Sequence, residues 1–180
     1  GGDDRLAERY AEMIAALRPR FSPIAVGVHE DDRAKGQWVD SFRRRGIDVF
    51  VTTDQSDPNT LVRLQRLLSS FEYVTTNGYG SHIALAAYCG AKVSVYGPFA
   101  EFPLERMKVT HAVKMFPELL QQAYELCTEQ ALRQHYSFLF VEPDRAVVRR
   151  DWAAREVGEP SRVTPGELRR LFGWGAAAGA

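Results

Sequence analysis

A chain of 180 residues, 45% hydrophobic and 26% charged, has the size and composition of one globular domain with a full core. Lysine plus arginine equals aspartate plus glutamate at 23 each, so no global field draws the chain to nucleic acid or to an anionic membrane. No stretch has the ~20 apolar residues that a membrane-spanning helix needs, and Cys89 and Cys127 lack metal or redox spacing, which predicts free thiols in a reducing, cytoplasmic setting.

In chain order, Leu6, Tyr10, Met13, Ile14 and Leu17 form a helical apolar stripe, predicting a leading helix over 3–18 with Asp3 or Asp4 as its cap. A short β-branched strand follows at 24–28, then a polar loop at 29–35 and a helix through Arg45 that Gly46 closes. Arg43, Arg44 and Arg45 form the one basic run, a solvated face near a helix end. The next strand is read at 49–52, and a helix marked by Leu61, Leu64, Leu67 and Leu68 starts from Asp57 or Asn59. Residues 71–98, FEYVTTNGYGSHIALAAYCGAKVSVYGP, then read as strand, glycine-rich turn, apolar helix and strand. Beyond Pro98 come a proline-interrupted loop, a fifth strand or connector at 109–115, a long helix over 118–139 broken by Pro143, and short amphipathic helices over 145–174.

Four strands alternating with helices predict an α/β fold, a Rossmann-like parallel sheet of four to six strands with helices on both faces. The domain spans 1–142, a C-terminal helical extension 143–174, and a flexible tail 175–180. Ligands of such sheets bind beyond the carboxyl ends of the strands. The loops there carry His29, Glu30, Asp31, Asp32, Arg33 and Lys35, then Thr53 and Asp54, then 77–82, then Gly97, Pro98 and Phe99. Gly78 and Gly80 allow positive φ angles and close approach of a ligand, Ser81 offers a hydroxyl or a helix cap, and the amides opening the helix at His82 carry partial positive charge suited to a phosphate. A plain tight turn would use the same glycines, and Glu30 to Asp32 also suits a solvated turn.

Competing motifs are missing. No phosphate loop ends in lysine and serine or threonine, and the first strand runs into VHEDDRAKG instead of a dinucleotide glycine fingerprint. Ser81 lacks the flanking glycines of a nucleophile elbow, and His29, His82, His111 and His135 show no zinc spacing. Neither a metal nor a resident cofactor is expected.

The run from Asn59 to Pro98, a leucine-marked helix, then YVTTN, GSH, a small-residue helix and KVSVYGP, resembles the C-terminal nucleotide-sugar-binding domain of GT-B glycosyltransferases. It is most similar to bacterial enzymes of lipopolysaccharide and capsule assembly, such as heptosyltransferases. His82 falls at the family's helix-opening histidine, and Tyr96, Gly97 and Pro98 match its later strand end. Asn77 stands where heptosyltransferases usually carry aspartate, and Tyr79 where glycine is expected. Lys35 and Gly36 are similar to the lysine-glycine pair that retaining members use near donor phosphates.

The resemblance implies the donor-binding half of a glycosyltransferase, which binds a nucleotide-diphosphate sugar for transfer to a cell-surface polysaccharide or lipopolysaccharide. Its ligand-binding residues would be Lys35, Arg33, Asn77, Gly78, Gly80, Ser81, His82, Gly97 and Pro98, with His29 and His82 as candidate catalytic groups. It also implies an acceptor-binding N-terminal domain outside this chain, little transfer by the isolated chain, and room for peripheral membrane association through the full enzyme. Two other readings stand beside it. One is a non-catalytic α/β module that binds a ligand or partner in the same crevice. The other is half of a sugar-nucleotide epimerase, which usually carries glycine-serine-glycine where this chain has GSHIALAA.

Overall fold

The computed structural model describes residues 2–53, 57–101, 105, 108, 111–121 and 128–174. Asp54, Pro103, Cys127 and the predicted tail 175–180 lie outside them. The fold is α/β. Helix α1 (Gly2–Ala15) leads into β1 (Ala25–His29), α2 (Glu30–Lys35), α3 (Gln37–Arg43), β2 (Asp48–Thr53), α4 (Thr60–Leu68), β3 (Tyr73–Thr76), α5 (Ser81–Tyr88) and β4 (Lys92–Val95). Helices α6 (His111–Met115), α7 (Glu129–Tyr136), α8 (Arg150–Glu156) and α9 (Pro165–Leu171) follow, with 3-10 turns at Ser137–Leu139, Pro143–Arg145 and Glu159–Ser161.

All four strands read from the sequence form, and both pairings are parallel. β1 pairs with β2, register Val26 on Val49, and β3 pairs with β4, register Val74 on Val93. The hydrogen-bonded units are two two-stranded sheets instead of one continuous sheet. Side chains join the two units: the Phe21 ring meets the Tyr73 ring edge-on at 5.0 Å, and Tyr96, just past β4, packs with the core around β1 and β2.

That core takes the apolar stripe of α1, with Tyr10, Ile14 and Leu17 buried together with Phe42 and Ile47. The second core is centred on α5. Ile83, Ala84, Ala86 and Ala87 are all buried, against Leu64 and Leu68 of α4, Val93 and Val95 of β4, and Trp152 and Ala153 of α8. Alanines on α5 let neighbours approach closely, while Ile83, 1% exposed, supplies bulk. Arg150 fixes α8 over the end of α5, donating to the Tyr88 carbonyl with its guanidinium 3.7 Å from the Tyr88 ring centroid. A cation there complements the helix C-terminus.

Several expectations are corrected. The polar loop predicted at 29–35 is largely helix α2, stabilised by pairs Arg33 to Glu30 and Lys35 to Asp32. Gly36, at φ +79°, then breaks α2 from α3. The candidate fifth strand holds helix α6 from His111 onward. The helix predicted over 118–139 is interrupted at Thr128, whose extended backbone starts α7 and whose hydroxyl accepts from the Ala131 amide at 3.4 Å. Helix α1 begins at Gly2, ahead of both predicted caps. Gly46, at φ +65°, ends the α3 region as expected.

Replacing Ile83 with alanine is expected to lower unfolding stability by about 2–4 kcal/mol in urea titration, because α5 is enclosed by packed elements that resist collapse into the cavity. Glu8 gives a pH signature. Its carboxylate accepts from Ser41 Oγ at 2.5 Å, from Arg45 at 2.9 Å and from Arg44, and these bonds hold its pKa at about 2 instead of the ordinary 4.5. The stabilisation is therefore complete above pH 4.5 and is lost as the pH falls towards 2. Glu8→Gln should have a lower urea midpoint than the parent chain at neutral pH, and the two midpoints should converge across that acid window.

Candidate functional site

The loops after β3 and β4 are brought together, as the sequence reading requires. Asn77 Nδ2 donates to the Pro98 carbonyl at 3.2 Å, and the Ala100 amide donates to the Asn77 carbonyl at 2.6 Å. Thr76 closes the inner side of the turn: its Oγ1 accepts from the Gly78 amide at 3.3 Å and donates to the Gly78 carbonyl at 3.2 Å. Asn77 thus uses its side-chain amide to join two strand ends. An aspartate there would offer no donor to the Pro98 carbonyl.

Tyr79 has a structural reason as well. Its ring stacks on Tyr136 of α7 at 5.8 Å and an interplanar angle of 11°, and the Tyr136 hydroxyl reaches Glu156 of α8 at 3.2 Å. The glycine-rich turn is thereby tied to the C-terminal helices. Burial and Glu156 together raise the Tyr136 phenol above its ordinary pKa, so it stays protonated.

At the start of α5, neither Gly78 nor Gly80 takes the positive φ expected of it: Gly80 holds the N-cap position in extended backbone, and no side chain caps the helix. Ser81 is its exposed first residue, so its predicted capping role is replaced by a free-standing hydroxyl at the helix mouth. His82 folds back over the turn: a Cβ built on Gly80 would lie 2.8 Å from His82 Nδ1. Burial depresses the His82 pKa below its ordinary 6.5, so the imidazole is neutral near pH 7 and acts there as a hydrogen-bonding group, not a cation.

Gly97 is sterically required. It sits at φ +93°, and a Cβ there would meet the Tyr10 ring at 2.8 Å. Beside it opens a cleft of about 360 Å³ between the end of β4 and the segment running from α7 to the 3-10 turn at Pro143–Arg145. Arg133, Phe140, Glu142 and Arg145 line the far wall. The Arg133 guanidinium lies 4.0 Å from the Phe140 ring centroid and pairs with Glu129 at 2.7 Å. Among the described residues, the Arg145 side chain has no hydrogen-bonding partner. The wall is anchored from the other end of the chain by Arg20, which pairs with Asp144 at 2.7 Å and Glu142 at 3.5 Å.

Arg133 and Arg145 were not legible as site residues. They sit dozens of residues beyond Pro98, outside any phosphate motif, and only the return of the chain across β4 places them beside Gly97. The reverse holds for the cations read after β1. Arg33 is bonded to Glu30 and Lys35 pairs with Asp32, and α2 packs on β1, β2 and α3. His29 closes β1 in that same unit. The structure thus joins Asn77, Gly78, Gly97 and Pro98 in one clasp with Gly80, Ser81 and His82 beside it, and places His29, Arg33 and Lys35 on the other strand pair. A second cleft, of about 420 Å³, lies between β2 and α4, with Arg63 and Arg66 on its rim.

Among the described residues, no three histidine, cysteine, aspartate or glutamate side chains gather as a metal site. No described helix is long and apolar enough to cross a membrane. No protein-family model, curated protein or solved structure matches the chain.

Gly97→Ala is expected to destabilise the chain by about 2 kcal/mol or more, through the positive φ and the Tyr10 contact together. Combining it with Tyr10→Ala should show strong non-additivity in a double-mutant cycle read by urea denaturation.

Proposed function

We propose that the chain is the donor-binding half of a glycosyltransferase, holding a nucleotide-diphosphate sugar at the carboxyl ends of β3 and β4 for transfer to a cell-surface polysaccharide or lipopolysaccharide acceptor. The observation that carries this reading is the clasp of the 77–80 turn onto Pro98 and Ala100 beside a cleft lined by Arg133 and Arg145. In open α/β folds, anionic ligands settle at such carboxyl edges.

In this reading the diphosphate lies between the mouth of α5 and the cleft beside Gly97. The Ser81 and His82 amides, the Ser81 hydroxyl and Arg145 stabilise the charge that grows on the departing nucleotide as the anomeric carbon gains oxocarbenium character. Donors fixed before the reaction supply several kcal/mol when aimed at developing charge. His82, neutral, contributes a hydrogen bond to the donor and no formal charge. The two strand pairs would act as neighbouring parts of one Rossmann-like sheet, a view supported by the Phe21 to Tyr73 contact. An acceptor-binding domain outside this chain would supply the acceptor and its activating base, and the setting would be the cytoplasm.

A non-catalytic ligand-binding module is the second reading. It is favoured by the local pairing of Arg33 and Lys35, which leaves α2 without a cation directed at the clasp.

Titration calorimetry with UDP, GDP, ADP and CMP tests binding. At least one diphosphate should bind, Arg145→Gln should weaken it about tenfold, and Ser81→Ala should weaken it to a smaller degree. No heat with any of the four, or affinities unchanged in both variants, would sink the proposal. By NMR, His82 should titrate below 6.5 in the free chain, and a bound diphosphate should shift that titration upward, because a nearby anion favours the imidazolium. Transfer of sugar from a bound donor once an acceptor-binding domain is supplied in trans would separate the transferase from the binding module.

A further inference from the structure

The end of the described chain is a helix closed at both ends and buried nowhere. At its start the Thr164 hydroxyl accepts from the Glu167 amide at 3.2 Å, Glu167 Oε2 accepts from the Thr164 amide at 2.7 Å, and Pro165 holds the first turn. At its end Gly173 turns to φ +66°, the Trp174 amide donates to the Arg169 carbonyl at 2.8 Å and the Gly173 amide to the Arg170 carbonyl at 3.2 Å. Such capping favours the helical turns of α9 at both ends, and none of its residues is buried.

Steps of ~100° per residue put Leu168, Leu171 and Phe172 on one arc, with Arg169 and Arg170 off it. That arc faces solvent: Leu168 is 39% exposed, Leu171 71% and Phe172 61%, and Trp174 beyond it is 68% exposed. The Phe172 and Trp174 rings stack at 4.9 Å, extending the apolar surface beyond the helix. The whole chain is charge-balanced, but residues 162–174 carry three arginines, Arg162, Arg169 and Arg170, against Glu167 alone. Glu167 is turned back into the cap by its bonds to Thr164.

We propose that α9, with Phe172 and Trp174, docks on an anionic lipid surface. Leucine, phenylalanine and tryptophan would enter the headgroup boundary while the arginines meet lipid phosphates, which is how short interfacial helices hold to membranes. Charge complementarity selects this occupant. The docking is independent of the nucleotide-sugar reading.

Flotation of the full chain with vesicles of phosphatidylcholine alone, and of equal parts phosphatidylcholine and phosphatidylglycerol, tests it. Binding to the anionic vesicles should exceed that to the neutral ones about tenfold and weaken in high salt. Phe172→Ser with Trp174→Ser, and separately Arg169→Gln with Arg170→Gln, should each reduce it about tenfold. Absence of binding to either vesicle, or equal binding to both, would overturn the proposal. So would variants, matched to the parent by circular dichroism, that bind as the parent does. Self-association in sedimentation equilibrium that the aromatic pair of substitutions abolishes, without vesicle binding, would assign the face to a second copy and overturn it too.

Discussion

Helix α5 buries Ile83, Ala84, Ala86 and Ala87 and gives water little beyond Ser81, and the arrangement of the second half of the chain follows from that. Its alanines and Ile83 are covered by α4, β4 and α8, which converge on it. Because the side chains are small, those neighbours approach closely, and the helix mouth is held in a fixed relation to the ends of β3 and β4. The turn at 77–80 inherits its position from this packing more than from its own glycines. The Tyr79 to Tyr136 stack then carries the same constraint outward to α7.

The two cores differ in how they are held. Around α5 the contacts are chiefly apolar, with aromatic edges among Tyr136, Phe138 and Trp152. Around α1 a comparable apolar core is ringed by Glu8 with its two arginines and Ser41. Tyr10 joins the two regions, since it is buried in the α1 core and also forms the surface against which Gly97 rests. A ring on the leading helix thereby sets how closely the end of β4 can approach it.

Periodicity was most informative where one physical cause dominated. Alternating strands and helices, the α1 stripe and Gly46 all reflect local apolar spacing or backbone geometry, and all are present. It was less informative where side chains compete. Glu30, Asp32, Arg33 and Lys35 look like turn residues one at a time, yet in the structure they lie in helix α2 and pair along it. Thr128 breaks what reads as one apolar helix because its hydroxyl caps a new one. At the candidate site, the meeting of the 77–80 turn with Pro98 was visible in the strand order. The arginines of the cleft were not, because tertiary return of the chain, not spacing, puts them there.

Arg20 has a consequence of its own. Its partners Glu142 and Asp144 are 46% and 43% exposed, so mobile ions compete for those bonds. The opposite side of the cleft is fixed by neutral hydrogen bonds between Asn77, Pro98 and Ala100, which ions hardly affect. One wall of the cleft is thus tied to the start of the chain by bonds that salt weakens, and the other is closed by bonds that it hardly touches.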